Sequence, residues 1–111
     1  MYALGQGVPQ EDDKESVKWT RLAAEQGYAI AQFNVGFFYA NGRGVPVDDN
    51  EAVKWYRLAA EQGFDEAQFY LGEMHSLGKG VPVDLKEAIK LWKLAAEQGH
   101  ERAKYNLDNY K

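Results

Sequence analysis

Cysteine is absent from the 111-residue sequence, which excludes a disulfide framework, a thiolate zinc site, an iron–sulfur cluster and a cysteine nucleophile. The absence leaves the cellular compartment open, because a cysteine-free chain tolerates oxidising and reducing surroundings alike. No apolar run approaches the roughly 18 residues that cross a bilayer, so membrane insertion is not expected. Basic residues number 13 against 17 acidic ones, a net charge of −4, so nucleic acid is not an expected partner.

Candidate catalytic groups are also few. Serine occurs only at Ser16 and Ser76 and threonine only at Thr20, and no nucleophile-elbow motif surrounds them. His75 and His100 are not paired at a metal-ligand spacing, and they occupy positions that hold aromatic residues elsewhere in the chain, so we interpret them as packing residues. We therefore expect no enzyme activity, no metal and no cofactor.

What the sequence does contain is an internal repeat. The string Leu-Ala-Ala-Glu-Gln-Gly occurs three times, 36 residues apart, and Gly-x-Gly-Val-Pro also occurs three times, at 5–9, 42–46 and 78–82. All 11 glycines and all three prolines occupy repeat positions. A fixed period of this length is typical of solenoid proteins. It predicts one domain over 1–111, made of a partial repeat at 1–28, whole repeats at 29–64 and 65–100, and a partial repeat at 101–111.

Each repeat is predicted to contain two helices, which we call A and B. Helix A is expected at about 29–41, 65–77 and 101–110, and helix B at about 13–26, 49–62 and 85–98. Every B helix is preceded by an aspartate with a glutamate three residues later, the pattern of a capping box: Asp12 with Glu15, Asp48 with Glu51, and Asp84 with Glu87. Every B helix is followed by a glycine, a residue suited to the left-handed conformation that ends helices.

Two glycines, Gly36 and Gly72, lie inside predicted A helices. Glycine in a helix interior costs about 1 kcal/mol relative to alanine. Its recurrence at equivalent positions therefore predicts a close approach of helix A to another helix.

These motifs together resemble a Sel1-like repeat, a relative of the tetratricopeptide repeat. The residues that carry the resemblance run through one whole repeat: Ala31-Gln32-Phe33-Asn34-Val35-Gly36, Tyr39, Gly42-x-Gly44-Val45-Pro46, Asp48, Ala52, Trp55-Tyr56 and Ala59-Ala60-Glu61-Gln62-Gly63. The resemblance implies an all-α, right-handed α/α superhelical solenoid, here with the helix order B-A-B-A-B-A. It also implies a scaffold for protein–protein interaction, with a protein or peptide as the partner.

In tetratricopeptide-like solenoids one side of helix A lines the concave groove, and the resemblance carries that role to this chain. Ten residues occupy that side: Phe33, Asn34, Phe37, Asn41, Phe69, Tyr70, Glu73, Tyr105, Asn106 and Asn109. Three of them, Phe33, Phe69 and Tyr105, are equivalent and always aromatic, so a framework role is an equal alternative. The others change between repeats, which is consistent either with ligand specificity or with simple solvation.

Two other functions remain open at this point. The chain begins at the end of a helix A and ends with a helix A that lacks a B partner, which suggests a piece of a longer array whose ends associate with other copies. The third alternative is an enzyme, since some cysteine-rich members of the family are linked to β-lactam binding or hydrolysis. The paired cysteines of those members are missing here.

Overall fold

The structure, a computed structural model, describes residues 9–110, with side chains from residue 14 onward. Six α-helices occupy this range: α1 (Pro9–Glu25), α2 (Ala29–Asn41), α3 (Asp49–Glu61), α4 (Asp65–Leu77), α5 (Leu85–Glu97) and α6 (Glu101–Asn109). No β-strand occurs among the described residues. The predicted all-α class is therefore confirmed, with α2, α4 and α6 at the predicted A positions and α1, α3 and α5 at the B positions.

Helix α1 starts earlier than the sequence pattern predicts. It begins at Pro9 rather than near residue 13, consistent with the preference of proline for the first turn of a helix. Asp12 therefore lies within the helix, and the prediction that it precedes the helix as the N-cap is wrong. The side chain of Asp12 and the glycine loop at 5–8 lie outside the described residues.

Consecutive helices pack against each other along the whole chain, and α2 with α3 and α4 with α5 form the most extensive contacts. The result is an elongated molecule of 46 × 25 × 24 Å. The largest core cluster joins α3, α4 and α5, and its main members are Ala52, Val53, Tyr56, Ala67, Leu71, Met74 and Leu91. Burial of this apolar surface on one face of each helix is what holds the array together.

The close helix approach predicted at the two helical glycines is confirmed. A Cβ atom added to Gly36 would lie 2.7 Å from Cδ1 of Tyr56, and one added to Gly72 would lie 2.5 Å from Nε1 of Trp92. Both distances are shorter than any tolerated contact between carbon or nitrogen atoms. The absence of a side chain at these positions lets each A helix pack directly on the aromatic residue of its own B helix.

Of the two hydrogen bonds predicted for the capping boxes of α3 and α5, only the one accepted by the aspartate forms. The Asp48 carboxylate accepts a hydrogen bond from the backbone N–H of Glu51 at 3.2 Å, and Asp84 makes the equivalent bond at 3.0 Å. The glutamate does not return a bond to the cap, because the N–H of Asp48 donates to the Tyr39 carbonyl at 3.0 Å. The Glu51 carboxylate instead accepts from Nε1 of Trp55 at 3.2 Å.

A ladder of glutamines joins successive repeats. Nε2 of Gln62 donates to the Gly27 carbonyl at 2.9 Å and to Oε1 of Gln32 at 2.8 Å. The same pair of bonds recurs from Gln98, at 2.7 Å to a glycine carbonyl and 3.1 Å to Oε1 of Gln68. Gln62 and Gln98 therefore satisfy polar groups of the preceding repeat, a role that the sequence did not reveal.

Candidate functional site

Aromatic side chains from three helices form one cluster on the A helices and α3. Tyr70 of α4 stands at its centre, with ring centroids 5.5 Å from Phe33 and 6.3 Å from Phe37 of α2 and 5.8 Å from Tyr56 of α3. Burial raises the pKa of Tyr56, and the nearby Tyr70 raises it further. The Tyr56 phenol, which is neutral at physiological pH even at its ordinary pKa, therefore keeps its hydrogen-bond donor in more alkaline solution as well.

This cluster forms the floor of an open cavity of about 390 Å³, a size within the range of ligand sites. The cavity runs from the end of α2 across α4 to α6. Its lining combines aromatic and aliphatic groups, Phe37, Tyr56, Tyr70 and Leu77, with polar and charged ones, Asn41, Glu73, Lys79 and Arg102.

Arg102 of α6 separates this cavity from a second one. Its guanidinium lies 4.6 Å from the ring centroid of Phe69 and 5.5 Å from that of Tyr70, and Nη1 donates to the Tyr70 hydroxyl at 3.1 Å. That hydrogen bond raises the pKa of Arg102. The flat cation is therefore fixed in place over two aromatic rings while its outer face stays open to solvent.

The second cavity, of about 340 Å³, lies between α4 and α6. Glu73 and Arg102 line both cavities, so the two adjoin each other. Oε2 of Glu73 accepts a hydrogen bond from Nδ2 of Asn106 at 2.9 Å, which links the two helices at this point. We call the two cavities together the A-helix groove.

The structure brings most of the ten predicted site residues together. Phe37, Asn41, Tyr70 and Glu73 line the first cavity, and Glu73 with Phe69, Tyr105 and Asn106 lines the second. Phe33 packs beneath them, with its ring 5.4 Å from that of Phe64 and close to three further aromatic rings. The remaining two, Asn34 and Asn109, are exposed and line neither cavity.

The three always-aromatic positions do not share one environment. Phe69 is 1% exposed and stacks on His100 with a centroid distance of 4.7 Å, so it belongs to the core beneath Arg102, which favours the framework alternative for this position. Tyr105, at the equivalent position of α6, is 69% exposed. Position in the repeat therefore does not decide which of these rings faces a ligand.

Sequence reasoning missed the two cations of the groove, Lys79 and Arg102. A signal for Arg102 exists in the repeat, because the equivalent positions hold Ile30 and Glu66, an apolar and an acidic residue. The position thus changes from apolar to acidic to basic between repeats. None of the ten predicted site residues lies in the first turn of helix A, so this signal was not used.

The two histidines differ: His75 is buried as the packing interpretation expects, whereas His100 stacks on Phe69 and also makes polar contacts that were not predicted from the sequence. Nδ1 of His100 accepts from the N–H of Ala103 at 3.2 Å, which caps α6, and Nε2 lies 2.7 Å from the Glu66 carboxylate. His75 is 7% exposed within α4. Among the described side chains, those of residues 14–110, no group of three or more histidine or acidic residues is placed to hold a metal ion. None of the helices found there is long and apolar enough to span a membrane.

Comparison with known proteins adds the following. The sequence model of the Sel1 repeat matches residues 1–28, 29–64 and 65–100. No curated protein sequence matches the chain significantly.

Solved structures with the same fold include a Sel1 repeat protein from Oxalobacter formigenes, with a TM-score of 0.81 and 41% identity over 85% of this chain. A protective antigen of uropathogenic Escherichia coli with an SLR fold gives a TM-score of 0.82 and 45% identity over 89% of the chain. Cysteine-rich protein B of Helicobacter pylori gives 0.77 and 28% over 82%. The chain covers 39%, 21% and 68% of these three proteins respectively.

Proposed function

Because this chain belongs to the Sel1 repeat family, whose members commonly serve as non-enzymatic scaffolds for protein interaction, we propose that it binds an extended peptide segment of a protein partner in the A-helix groove. The observation that carries the proposal is the pair of adjoining cavities that share Glu73 and Arg102. Joined end to end, they offer an elongated site suited to a peptide.

The chemistry of the groove suits a peptide better than a small charged metabolite. Phe37 and Tyr70 offer large contact areas on side chains with few rotatable bonds, so their ordering costs little entropy. Asn41 contributes an amide at the rim, and its bond from Nδ2 to the Phe37 carbonyl, at 2.9 Å, uses only one of the two N–H groups. These aromatic rings and this amide are thus already in place before a ligand arrives.

The charged groups of the first cavity also favour certain peptides over others. Lys79 and Arg102 line the first cavity with a single carboxylate, Glu73, so the cavity is locally positive on a chain with a net charge of −4. Oppositely charged groups steer association and fix register more than they raise affinity. We expect the bound segment to carry an acidic side chain beside an apolar one.

Variation between repeats supports a specific ligand over a generic one. The position of Asn34 becomes Tyr70 in the next repeat and that of Phe37 becomes Glu73, while the glutamine ladder stays the same. The two whole repeats, 29–64 and 65–100, are therefore proposed to form one binding unit with α6.

The test is a screen of immobilised 12-residue peptides with the purified chain, followed by calorimetric titration of the peptides that bind. Leu77→Ala and Tyr70→Ala are expected to weaken binding, Tyr70→Ala by at least about tenfold, because central aromatic residues dominate such interfaces. Leu77 is 62% exposed, so its replacement tests the groove with little effect on folding.

Lys86→Ala on the exposed surface of α5 provides the matched control and should bind like the unaltered chain. Circular dichroism verifies that each variant is folded. Peptides that bind all four proteins equally would place recognition outside the groove and contradict the proposal.

A further inference from the structure

A third cavity, of about 390 Å³, lies on the other side of the array, where the end of α3 and the start of α4 meet α5. It shares no lining residue with the A-helix groove. Its charged and apolar lining comes mainly from the two B helices: Arg57, Glu61, Glu87, Lys90, Leu91 and Leu94. We call it the second-junction cavity, because α3, α4 and α5 form the second of two equivalent three-helix junctions.

The first junction, formed by α1, α2 and α3, shows what fills the equivalent space. Trp55 is 6% exposed there, and its Nε1 donates to Oε1 of Glu51 at 3.2 Å. The guanidinium of Arg21 lies over the indole at 5.8 Å from its centroid. An indole is thus held between a carboxylate that accepts its N–H and a cation over its face.

At the second junction the indole is missing but its partners remain. Leu91 stands at the position equivalent to Trp55, while Glu87 and Arg57 are equivalent to Glu51 and Arg21. All three line the cavity. The shorter side chain leaves open a space beside the same carboxylate and guanidinium that hold an indole at the first junction, and Leu71, in place of the smaller Val35, fills part of it.

A second replacement leaves Arg57 less constrained than its counterpart. Nη1 of Arg21 donates to the hydroxyl of Tyr39 at 2.6 Å. His75 occupies the equivalent position, and both of its ring nitrogens are buried without a hydrogen-bond partner among the described residues. Arg57 therefore has no equivalent bond to this position, and its guanidinium is available to an incoming ring.

We propose that the second-junction cavity binds a tryptophan side chain of a protein partner. The indole takes the place that Trp55 occupies at the first junction, with its N–H donating to the Glu87 carboxylate and its face against the Arg57 guanidinium. An aromatic anchor in a pocket with an arginine beside it is the arrangement that contributes most to many interfaces. This site is independent of the proposed groove function.

The test uses N-acetyl-L-tryptophanamide as the probe, titrated into the ¹⁵N-labelled chain. We expect the largest amide shifts at Arg57, Glu87 and Leu94. Leu91→Trp should fill the cavity from within and weaken binding by at least about tenfold. It should also raise Tm, since a native indole then takes the vacant space.

Two further measurements keep the proposal testable if Leu91→Trp does not fold. Glu87→Ala should weaken binding, whereas Glu51→Ala at the first junction serves as the matched control and should not. Indole should bind more tightly than 1-methylindole, which has no N–H to donate. The proposal fails if the probe shifts only residues of the A-helix groove, if it shifts none, or if Leu91→Trp binds it unchanged.

Discussion

The two three-helix junctions share the polar groups that cap and join their helices and differ in the side chains packed around them. The glutamine ladder and the aspartate caps recur with nearly equal distances. The packing residues around them differ at several equivalent pairs, among them Val35 and Leu71, Tyr39 and His75, Trp55 and Leu91, and Tyr56 and Trp92. Backbone polar groups have strict geometric needs, whereas apolar volume can be redistributed, so function is free to evolve in the packing without disturbing the array.

The largest loss of stability is expected when a methyl group is added to either of the two helical glycines. Gly72→Ala should lower the free energy of unfolding by about 3 kcal/mol, because the added Cβ would overlap Nε1 of Trp92, and this exceeds the roughly 1 kcal/mol gained in helix propensity. Gly36→Ala should cost slightly less, since its contact with Tyr56 is 0.2 Å longer, 2.7 against 2.5 Å. Urea denaturation measures both, and a stabilised Gly72→Ala protein would show that the helix contact is loose.

Removal of the ladder glutamine should lower stability equally at both junctions. Gln62→Ala and Gln98→Ala each remove two hydrogen bonds and leave a buried glutamine oxygen without its donor, at a cost of about 2 kcal/mol. Thermal unfolding followed by circular dichroism measures the pair. A difference above about 1 kcal/mol between them would mean that the ladder is not equivalent at the two junctions.

Substitutions at the equivalent residues Tyr39 and His75 should change the stability of the chain in opposite directions. Tyr39→Phe removes the hydroxyl that holds Arg21 and should destabilise the chain by about 1 kcal/mol. His75→Tyr should stabilise it by a similar amount, because it replaces two unpartnered ring nitrogens with a hydroxyl that can reach Arg57. Combining His75→Tyr with Arg57→Ala should remove the gain, and a gain that persists would assign it to apolar packing instead.

The smallest effect, on self-association, is expected at α6. This helix differs from α4 on the face against which α4 packs its B helix. Lys104 and Asp108 stand at the positions of Gln68 and Gly72. A second copy therefore cannot pack a B helix on α6 as α5 packs on α4, and we expect light scattering across a dilution series to give a constant monomer mass. End-to-end association through α6 would appear as a mass that rises with concentration, and Lys104→Gln with Asp108→Gly should promote it.

Much of the fold was predictable because its signals are local. Gly63 and Gly99 end B helices with φ near +90°, and Asp48 and Asp84 begin them, so residue type alone placed these boundaries. The first helix was misjudged for the same reason: Asp12 carries the capping pattern, yet α1 begins at Pro9. The pattern does not exclude an earlier start where the preceding residues also tolerate helix.

The candidate site was only partly predictable. Helix-A spacing identified Tyr70 and Glu73, which line the groove, but it could not show that Phe69 is buried or that Arg102 reaches across from α6. A helical wheel orders residues around one axis and contains no information about a neighbouring helix. Lys79 has a basic counterpart in Arg43, but the repeat could not show that its side chain reaches the rim of the groove, since any solvated position accepts a cation.

By itself the sequence determined the repeat, the helices and the family, since these depend on spacing, caps and glycines that act within a few residues of each other. Tertiary structure alone decided the glutamine ladder, the placing of Arg102 over Phe69 and Tyr70, and the cavity beside Leu91. Each of these joins residues about 30 or more positions apart or depends on the volume left between helices. Only the packing of one repeat on the next fixes such distances.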